Sequence, residues 1–352
     1  MVLARQRAAS QLLHRPRSAA EPADVVRAAG PMQAQEPRAA RLAFRARARG
    51  LTAADVDRAR TDERSLLRAW VMRRTIHLIA AEDAGWLIPL FGEATVRWSR
   101  KRLADFGLDR RGQDRALEVL HDAVDAEGAL TRPELAERLE RAGFTTANEF
   151  KVHLWLLATL DGELCLGPDR GANACLVRTE DWIGPFARRS REDSLTELAR
   201  RYLRAYAPAT ERDLARWSGL PLRDARLGLE RIAGELSEGA DGLLALGRRP
   251  RAGRSPVVRM LGAFDNYNLG YGSRDFQLPT EHLKQVIPGG GIVRPVITVD
   301  GAIAGTWASK RSGKRLGVSL EPFERLPGAV AEALEAEVAD VGRFEGLTAT
   351  IA

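Results

Sequence analysis

Two glutamines in a short linker near the N-terminus have the side chains and the spacing for amide-based chemistry. A Gly-Pro step at 30–31 is expected to end a helix over 22–29, and Pro37 suits the first turn of the next helix. The residues between are predicted to be extended, so Gln33 and Gln35 should project to the same side. Their carboxamides could donate and accept hydrogen bonds beside helix N-termini that favour anions. The alternative is a pair of solvated linker glutamines.

A histidine and an aspartate are secondary candidates for a role in the same site. His77 lies on a strand predicted over 75–80. It could face a bound substrate, or it could be a half-buried histidine that bonds the backbone. Asp265, within Phe-Asp-Asn-Tyr at 264–267, could place a carboxylate near the site, or it could stabilise a turn.

A basic run near the C-terminus is the best candidate for contacts with phosphates. The run is Lys-Arg-Ser-Gly-Lys-Arg at 310–315, directly after Trp307, and it suits phosphate contacts and insertion of a wedge. The alternative is a solvated basic hairpin. The full set of candidate nucleic-acid-binding residues is Arg38, Arg73, Arg74, Arg274, Trp307, Lys310, Arg311, Lys314 and Arg315.

A Thr-x-x-acid-apolar pattern recurs along the chain and predicts three helix starts. The threonines Thr52, Thr131 and Thr210 lie at equal intervals of 79 residues. Each threonine can cap a helix while the acid three residues later lies in its positive first turn. A coincidence of capping boxes is the alternative, but the flanking segments favour a repeated unit.

The segments that follow these threonines predict helices and then short strands. After Thr131 the pattern indicates a short helix, an apolar helix over 148–159, and strands at 163–166 and 174–177. Three helices followed by a hairpin is the order of a winged helix. The third copy predicts helices over 195–206, 210–217 and 222–232, and then a strand at 243–246.

From Val257 onward the pattern changes to strands joined by Asp-Gly and Ser-Gly turns. An antiparallel meander, closed or half-closed, is predicted from strands at 257–261, 293–299, 302–308 and 316–320. A helix over 327–341 is expected to pack across it. The predicted fold class is therefore α+β, with three tandem winged helices and a C-terminal β-barrel-like domain. The predicted domain ranges are 1–100, 101–187, 188–255 and 256–352.

Composition excludes a disordered chain, a single small module and a membrane protein. The 352 residues are 45% hydrophobic and 29% charged, which is ordinary for a globular protein. No apolar run approaches the ~18 residues needed to cross a bilayer. A net charge of +7 favours partners that carry phosphate. Because Cys165 and Cys175 suit neither a disulfide scaffold nor a zinc site, we expect a cytoplasmic protein without metal.

Five segments together resemble the AlkZ-type winged-helix DNA glycosylases, over nearly all of the chain. They are Met-Gln-Ala-Gln-Glu-Pro-Arg at 32–38, Arg-Thr-Ile-His-Leu at 74–78, Phe-Asp-Asn-Tyr at 264–267, Arg-Pro at 294–295 and Val-Asp-Gly-x-x-x-Gly-Thr-Trp at 299–307. The resemblance implies three winged helices around a β-barrel and excision of bulky N7-alkylated guanines. Some members unhook interstrand crosslinks or protect producers of DNA-alkylating antibiotics, so base excision repair or self-resistance is implied here.

The family's catalytic Gln-x-Gln motif falls on Gln33 and Gln35, whereas a sister branch has aspartate at the second position. The resemblance implies no cofactor and water as the nucleophile, hence a monofunctional glycosylase without strand cleavage. Its expected partner is double-stranded DNA containing alkylated guanine, which His77 could face, and the protein is expected to be a monomer. Tandem winged helices alone would equally suit a non-catalytic DNA-binding protein or transcriptional regulator. The Gln33 and Gln35 pair distinguishes the two functions, because only the glycosylase needs it for catalysis.

Overall fold

The computed structural model describes residues 2–18, 21–145 and 147–352. The fold is mixed α+β, as the sequence predicts, and its contacts divide the chain into two units. One unit joins both ends of the chain, Met1–Asp57 and Leu195–Ala352, and we call it the discontinuous unit. The other is a single stretch, Arg58–Ser194, and we call it the central unit. The fourfold division into 1–100, 101–187, 188–255 and 256–352 stays a prediction.

α-Helices occur in both units. In chain order they are α1 (Val2–Ser10), α2 (Pro22–Ala29), α3 (Pro37–Arg45), α4 (Ala53–Thr61), α5 (Ala84–Asp105), α6 (Arg110–Glu127), α7 (Arg132–Arg141), α8 (Asn148–Leu160), α9 (Thr179–Ile183), α10 (Arg191–Tyr206), α11 (Glu211–Ser218), α12 (Leu222–Glu230), α13 (Asn266–Leu269), α14 (Leu283–Val286) and α15 (Gly328–Glu345). Within the described ranges, none of these helices has the length and apolar character needed to cross a membrane.

β-Strands are shorter and include every strand region that the sequence predicts. In chain order they are β1 (Met32–Gln33), β2 (Leu66–Trp70), β3 (Ile76–Ala80), β4 (Leu130–Thr131), β5 (Leu164–Arg170), β6 (Asn173–Arg178), β7 (Leu236–Glu238), β8 (Leu244–Leu246), β9 (Val258–Leu261), β10 (Val296–Val299), β11 (Ala302–Ser312), β12 (Arg315–Pro322) and β13 (Thr348–Ile351). The last strand, β13, is not anticipated by the sequence pattern.

A half-barrel sheet forms the C-terminal part of the discontinuous unit. Its strand order is β13-β12-β11-β10-β9, and all neighbours are antiparallel except the parallel pair β12 and β13. Helix α15 packs against both edge strands, β9 and β13. It buries one apolar face at helical spacing, through Val330, Leu334, Val338 and Val341. The predicted helix across the sheet is thereby confirmed.

The helices α10, which enters the discontinuous unit at Leu195, α11 and α12 are followed by the hairpin β7–β8. Between α10 and α11, Ala209 forms an isolated β-bridge with Leu244 of β8. The segment at Ala209 therefore pairs with the hairpin β7–β8 in the position of a third strand. The central unit repeats this connectivity with α6, β4, α7, α8 and the hairpin β5–β6, where β4 pairs with β6. Its core packs Leu120, Leu139 and Leu154 from the three helices.

The three predicted helix caps are present. At the start of α7 the Thr131 side chain accepts the Glu134 backbone N–H, and the Glu134 carboxylate accepts the Thr131 backbone N–H. Thr210 makes the same reciprocal pair with its acid at the start of α11. Thr52 makes it at the start of α4, where its N–H donates to Asp55 at 2.8 Å. The repeated signal in the sequence is therefore a repeated capping box.

Candidate active site

The linker between α2 and α3 has the geometry predicted for it. Helix α2 ends before Gly30, whose φ of +88° is a positive value that favours glycine. A Cβ at that position would also lie 3.4 Å from the ring of Trp217. Met32 and Gln33 are extended, and Pro37 opens α3. The turn, the extended chain and the helix start therefore fix the path of the linker locally.

The carboxamides of Gln33 and Gln35 lie on one side of this linker and bond each other. Gln33 Nε2 donates to Gln35 Oε1 at 3.2 Å. Burial alternates along the segment, since Met32 and Ala34 are buried, whereas Gln33 is half-buried and Gln35 is exposed. The exposed Gln35 carboxamide is therefore held by its neighbour and open to a ligand.

The start of α3 follows this pair directly. Glu36 caps the helix by accepting hydrogen bonds from the N–H groups of Arg38 and Ala39, at 3.2 and 2.5 Å. Arg38 in turn donates two bonds, of 2.6 and 3.1 Å, to the carboxylate of Glu345 at the end of α15. The predicted phosphate contact of Arg38 thus has an internal competitor, because a two-bond pair with a carboxylate engages the guanidinium strongly.

An open cavity of about 390 Å³ lies between α3 and the half-barrel sheet. Acidic, basic and apolar side chains line the cavity. They include Glu36, Glu321, Arg38, Arg294, Leu42 and Trp307. Because Glu36 is the next residue after Gln35, the cavity adjoins the glutamine pair along the chain. It offers room for part of a bulky ligand.

Asp265 does not present a free carboxylate, which corrects its candidacy as a catalytic group. Its side chain is fully buried and makes a two-bond ion pair with Arg47, at 2.7 and 2.9 Å. It also accepts the Tyr267 N–H at 2.9 Å and so caps the short helix α13. Both oxygens are engaged inside the protein, as buried polar groups normally are. This arrangement favours the turn-stabilising alternative.

His77 is buried in the central unit, which corrects the expectation that its ring faces DNA. It is 1% exposed, and its Nδ1 lies 3.0 Å from the carbonyl oxygen of Thr75. Burial lowers the pKa of His77 to about 3, with a smaller contribution from the charge of Arg73. The ring is therefore neutral at pH 7, and the structure favours a core histidine bonded to the backbone.

We expect the buried His77 to make stability depend on pH. An unfolded histidine has a pKa near 6.5, so with a folded-state pKa of about 3 the unfolded state binds the proton first. Its contribution is fully present above pH 6.5 and is lost as the pH falls toward 3. The urea midpoint of His77→Leu should therefore fall less between pH 7 and pH 5 than that of the unchanged protein. Equal losses in both proteins would contradict a neutral buried ring.

The predicted basic run lies at the turn between β11 and β12, and we call residues 310–315 the basic tip. Its four cations, Lys310, Arg311, Lys314 and Arg315, are all exposed. Trp307, by contrast, is 4% exposed, and its indole N–H donates to the carbonyl of Leu261 at 2.9 Å. The expectation that Trp307 contacts DNA is corrected, because its ring belongs to the core of the sheet.

Arg73, Arg74 and Arg274 lie in irregular segments. Arg73 and Arg74 form part of a 3₁₀ turn with φ values of 53° and 58°, and the exposed Arg74 guanidinium lies 4.6 Å from the centre of the Trp98 ring. Arg274 is half-buried and donates from Nε to the Asn268 carbonyl at 3.1 Å. Burial lowers the pKa of Arg274. Arg74 therefore offers more of its charge to an outside phosphate than Arg274 does.

Three residues that contact the linker region, or support a residue that does, are missed by the sequence analysis. Gln11 donates to the carbonyl of Ala29, Asn266 donates to the carbonyl of Pro31, and Arg47 bonds both Gln11 and Asp265. Gln11 and Arg47 carry no local signal. Asn266 lies in the Phe-Asp-Asn-Tyr segment that the resemblance uses, so its place in that segment is the one clue the sequence offers.

The two cysteines are poorly placed for thiolate chemistry. Cys165 and Cys175 are free and buried, and burial raises the pKa of Cys165 to about 12, so its thiol is protonated at pH 7. Among the described residues, no three His, Cys, Asp or Glu side chains are grouped so that they could hold a metal ion.

Comparisons with known proteins show the family to which the chain belongs. The family model described as DNA glycosylase AlkZ-like matches residues 26–344. A relative from Streptomyces sahachiroi named interstrand DNA cross-link repair glycosylase is 28% identical over 313 residues, which span 81% of this chain and 80% of the relative. The solved structure of the Streptomyces sahachiroi DNA glycosylase AlkZ is 26% identical and covers 99% of both chains with a TM-score of 0.79. The chain therefore belongs to the AlkZ-like DNA glycosylase family and is a hydrolase acting on N-glycosyl bonds.

Proposed function

We propose that this glycosylase hydrolyses the N-glycosidic bond of bulky N7-alkylguanines in double-stranded DNA, with Gln33 and Gln35 as its catalytic residues. The observation that carries the proposal is the 3.2 Å hydrogen bond between their carboxamides on the accessible side of the linker. The name of the Streptomyces sahachiroi relative, an interstrand DNA cross-link repair glycosylase, supports extending the proposal to crosslinked guanines. Base excision repair and self-resistance to a DNA-alkylating natural product are the proposed settings.

The lesion supplies much of the driving force for this reaction. Alkylation at N7 gives guanine a positive charge, so cleavage of the bond between C1′ and N9 returns its electron pair to N9 and releases a neutral base. A water oxygen forms the new bond to C1′, and its proton passes to solvent. Because the base leaves readily, the enzyme needs no strong general acid. Its task is to stabilise an oxocarbenium-like sugar and to direct a water at C1′.

The glutamine pair suits this task because its dipoles are oriented before the reaction. Donation from Gln33 Nε2 fixes Gln35 Oε1, and a carboxamide oxygen has a second lone pair that can accept a hydrogen bond from water. Oxygen dipoles directed at a developing positive charge lower the barrier, in the same way as donors directed at an oxyanion. The cavity beside Glu36 supports the proposal that a large substituent on N7 is accommodated.

The proposed DNA-binding elements are winged helices and the basic tip. We infer winged helices from the recurring order of helix, edge strand, two helices and hairpin, which includes α6–β6 and α10–β8. The first copy in the chain, which ends at β3, is inferred from the Thr52 capping box and the hairpin β2–β3. In winged-helix proteins one helix of the motif contacts base edges in a DNA groove. A positively charged hairpin can contact phosphates of the backbone.

Removal of the basic tip should weaken the salt dependence of DNA binding. Four exposed cations that each neutralise about one phosphate contribute up to about 3 or 4 to the slope of log K against log salt concentration. The variant K310A/R311A/K314A/R315A should therefore bind a duplex with a visibly flatter slope. A variant that exchanges lysine and arginine at these four positions keeps the charge and is the matched control. Identical slopes in all three proteins would remove the basic tip from the proposed interface.

The experiment that tests the proposed function is a base-release assay. Purified protein is incubated with a duplex carrying nitrogen-mustard adducts at guanine N7, and released base and alkali-labile abasic sites are measured. We expect release by the unchanged protein, with strong loss in Gln33→Ala and Gln35→Ala. Tight binding without release would indicate the alternative, a non-catalytic DNA-binding protein. Borohydride should trap no covalent adduct, because a trapped adduct would indicate an amine nucleophile in place of water.

A further inference from the structure

We infer that a buried polar network positions the glutamine linker, and that Asn266 is the residue through which the network holds the linker backbone. The network consists of Gln11, Arg47, Asp265 and Asn266, which we call the anchor network. The inference rests on the proposed catalytic role of Gln33 and Gln35. The four residues are positioning residues, because they act on the backbone that carries the glutamines.

Asn266 makes the contact nearest to the glutamines. Asn266 is 4% exposed, and its Nδ2 donates to the carbonyl oxygen of Pro31 at 2.9 Å, with two longer contacts of 3.5 Å to the carbonyls of Ala29 and Gly30. A proline has no backbone N–H, so its carbonyl is the only main-chain group that can fix this residue by hydrogen bonding. Pro31 lies two positions before Gln33, and its orientation therefore sets the direction in which the linker leaves the turn.

Gln11 holds the helix that precedes the linker. It is fully buried, and its Nε2 donates to the carbonyls of Ala29 and Ala205, at 3.1 and 2.8 Å. Ala29 is the last residue of α2, whose terminal carbonyls have no partner within the helix. Gln11 Oε1 accepts a hydrogen bond from the Arg47 guanidinium at 2.8 Å, so both the donor and the acceptor of this carboxamide are engaged.

Arg47 and Asp265 join these contacts to the helix that follows the linker. Arg47 lies two residues beyond the end of α3 and is fully buried, and its guanidinium bonds Asp265, Gln11 and the Ala43 carbonyl. Asp265 is the neighbour of Asn266 in the chain. Both helices that flank the glutamines are thus tied to one buried ion pair, and the linker spans two fixed points.

The backbone beside Asp265 supports a positioning role. Phe264 has a φ of 56°, a left-handed value that costs energy for a bulky residue and persists only where the surroundings impose it. This conformation precedes the two side chains that bond Arg47 and Pro31. The surrounding contacts therefore hold the loop in a conformation that its sequence alone would not favour.

Asn268 provides a matched control for Asn266. The two asparagines lie on the same short helix, α13, and Asn268 is 1% exposed. Within the described residues, the Asn268 carboxamide makes no hydrogen bond to the protein. Replacement of either residue removes the same atoms from the same buried helix, but only Asn266 loses a bond to the linker.

The test compares Asn266→Ala, Asn266→Leu and Asn268→Ala. The leucine variant keeps the volume of the side chain and serves if the alanine variant does not fold. For the Asn266 variants we expect about a tenfold lower single-turnover rate of base release, since one lost hydrogen bond and a displaced group have effects of this size. The Kd for the lesion-bearing duplex should stay unchanged. Hydrogen exchange should quicken at the amides of residues 32–36 in these variants and not in Asn268→Ala.

A double-variant comparison separates positioning from general stability. Asn266→Ala should cause no further loss of rate when Gln33 and Gln35 are both alanine, because the linker then carries nothing to position. Equal rate losses in Asn266→Ala and Asn268→Ala, or unchanged linker exchange in the Asn266 variants, would overturn the inference. Full activity of the protein lacking both glutamines would instead overturn the proposed function, so the two failures are distinguishable.

Discussion

Replacing Gln33 or Gln35 with alanine is expected to lower the single-turnover rate constant for base release about 100-fold. Loss of one preoriented polar group at a site of developing charge typically costs 10²–10³ in rate. Each substitution also removes one partner of the 3.2 Å bond, so the remaining carboxamide loses its fixed orientation. The measurement is release of 7-alkylguanine from a duplex under excess enzyme, with the Kd measured separately on the same DNA.

The control for this prediction is Gln285→Ala, which removes an exposed carboxamide from α14 in the same unit. It should release base at the rate of the unchanged protein. The double variant of Gln33 and Gln35 should lose little more than the worse single variant, because the two groups act as a unit. Losses that multiply fully would indicate two independent roles, and near-normal rates in both single variants would contradict the proposed catalysis.

Replacing Asp265 with alanine is expected to lower the free energy of unfolding by about 3–5 kcal/mol. The substitution leaves the guanidinium of Arg47 buried without its carboxylate, and removing one partner of a buried pair has a cost of this order. It also removes the cap of α13. Urea unfolding followed by circular dichroism measures the change. A loss below about 1 kcal/mol would show that the pair is not needed for stability.

Two further variants define the cause of that loss. Asp265→Leu combined with Arg47→Met removes both charges, and it should be more stable than Asp265→Ala, because no uncompensated charge remains. Glu235→Ala breaks an exposed pair with Arg200 and should cost less than about 1 kcal/mol. If the double variant is as unstable as Asp265→Ala, lost packing rather than the buried charge explains the effect.

Features set by neighbouring residues could be predicted from the sequence. The helix 22–29, the extended linker and the start of α3 at Pro37 follow from a Gly-Pro step and a proline, which restrict the backbone where they stand. The three capping boxes follow from residues three apart. The side of the linker shared by Gln33 and Gln35 follows from the alternation of an extended chain.

Features that join distant residues could not be predicted in the same way. The bond between Gln11 and Arg47 spans 36 residues and the pair between Arg47 and Asp265 spans 218, and no local pattern marks either. Strand β13 pairs in parallel with β12 after the whole of α15 has intervened. Such contacts depend on the tertiary fold, and so the role of Asp265 was open at the level of sequence.

The burial of single strand residues was the other source of error. Alternation assigns His77 and Trp307 to one face of a strand, but it does not say whether that face meets a helix layer or solvent. In the structure both side chains face inward and bond backbone carbonyls. The basic tip, by contrast, lies at a turn, where exposure follows from the chain reversal itself.

The division of the chain into two units also affects the order in which its parts fold during translation. The central unit is a single stretch and can fold as it emerges, whereas α3 must wait for α15, whose Glu337 and Asp340 pair with Arg45. The linker that carries Gln33 and Gln35 is therefore translated early, but its surroundings are completed late. A chain that terminates before α15 is expected to contain both glutamines and yet lack the partners that hold α3 beside them.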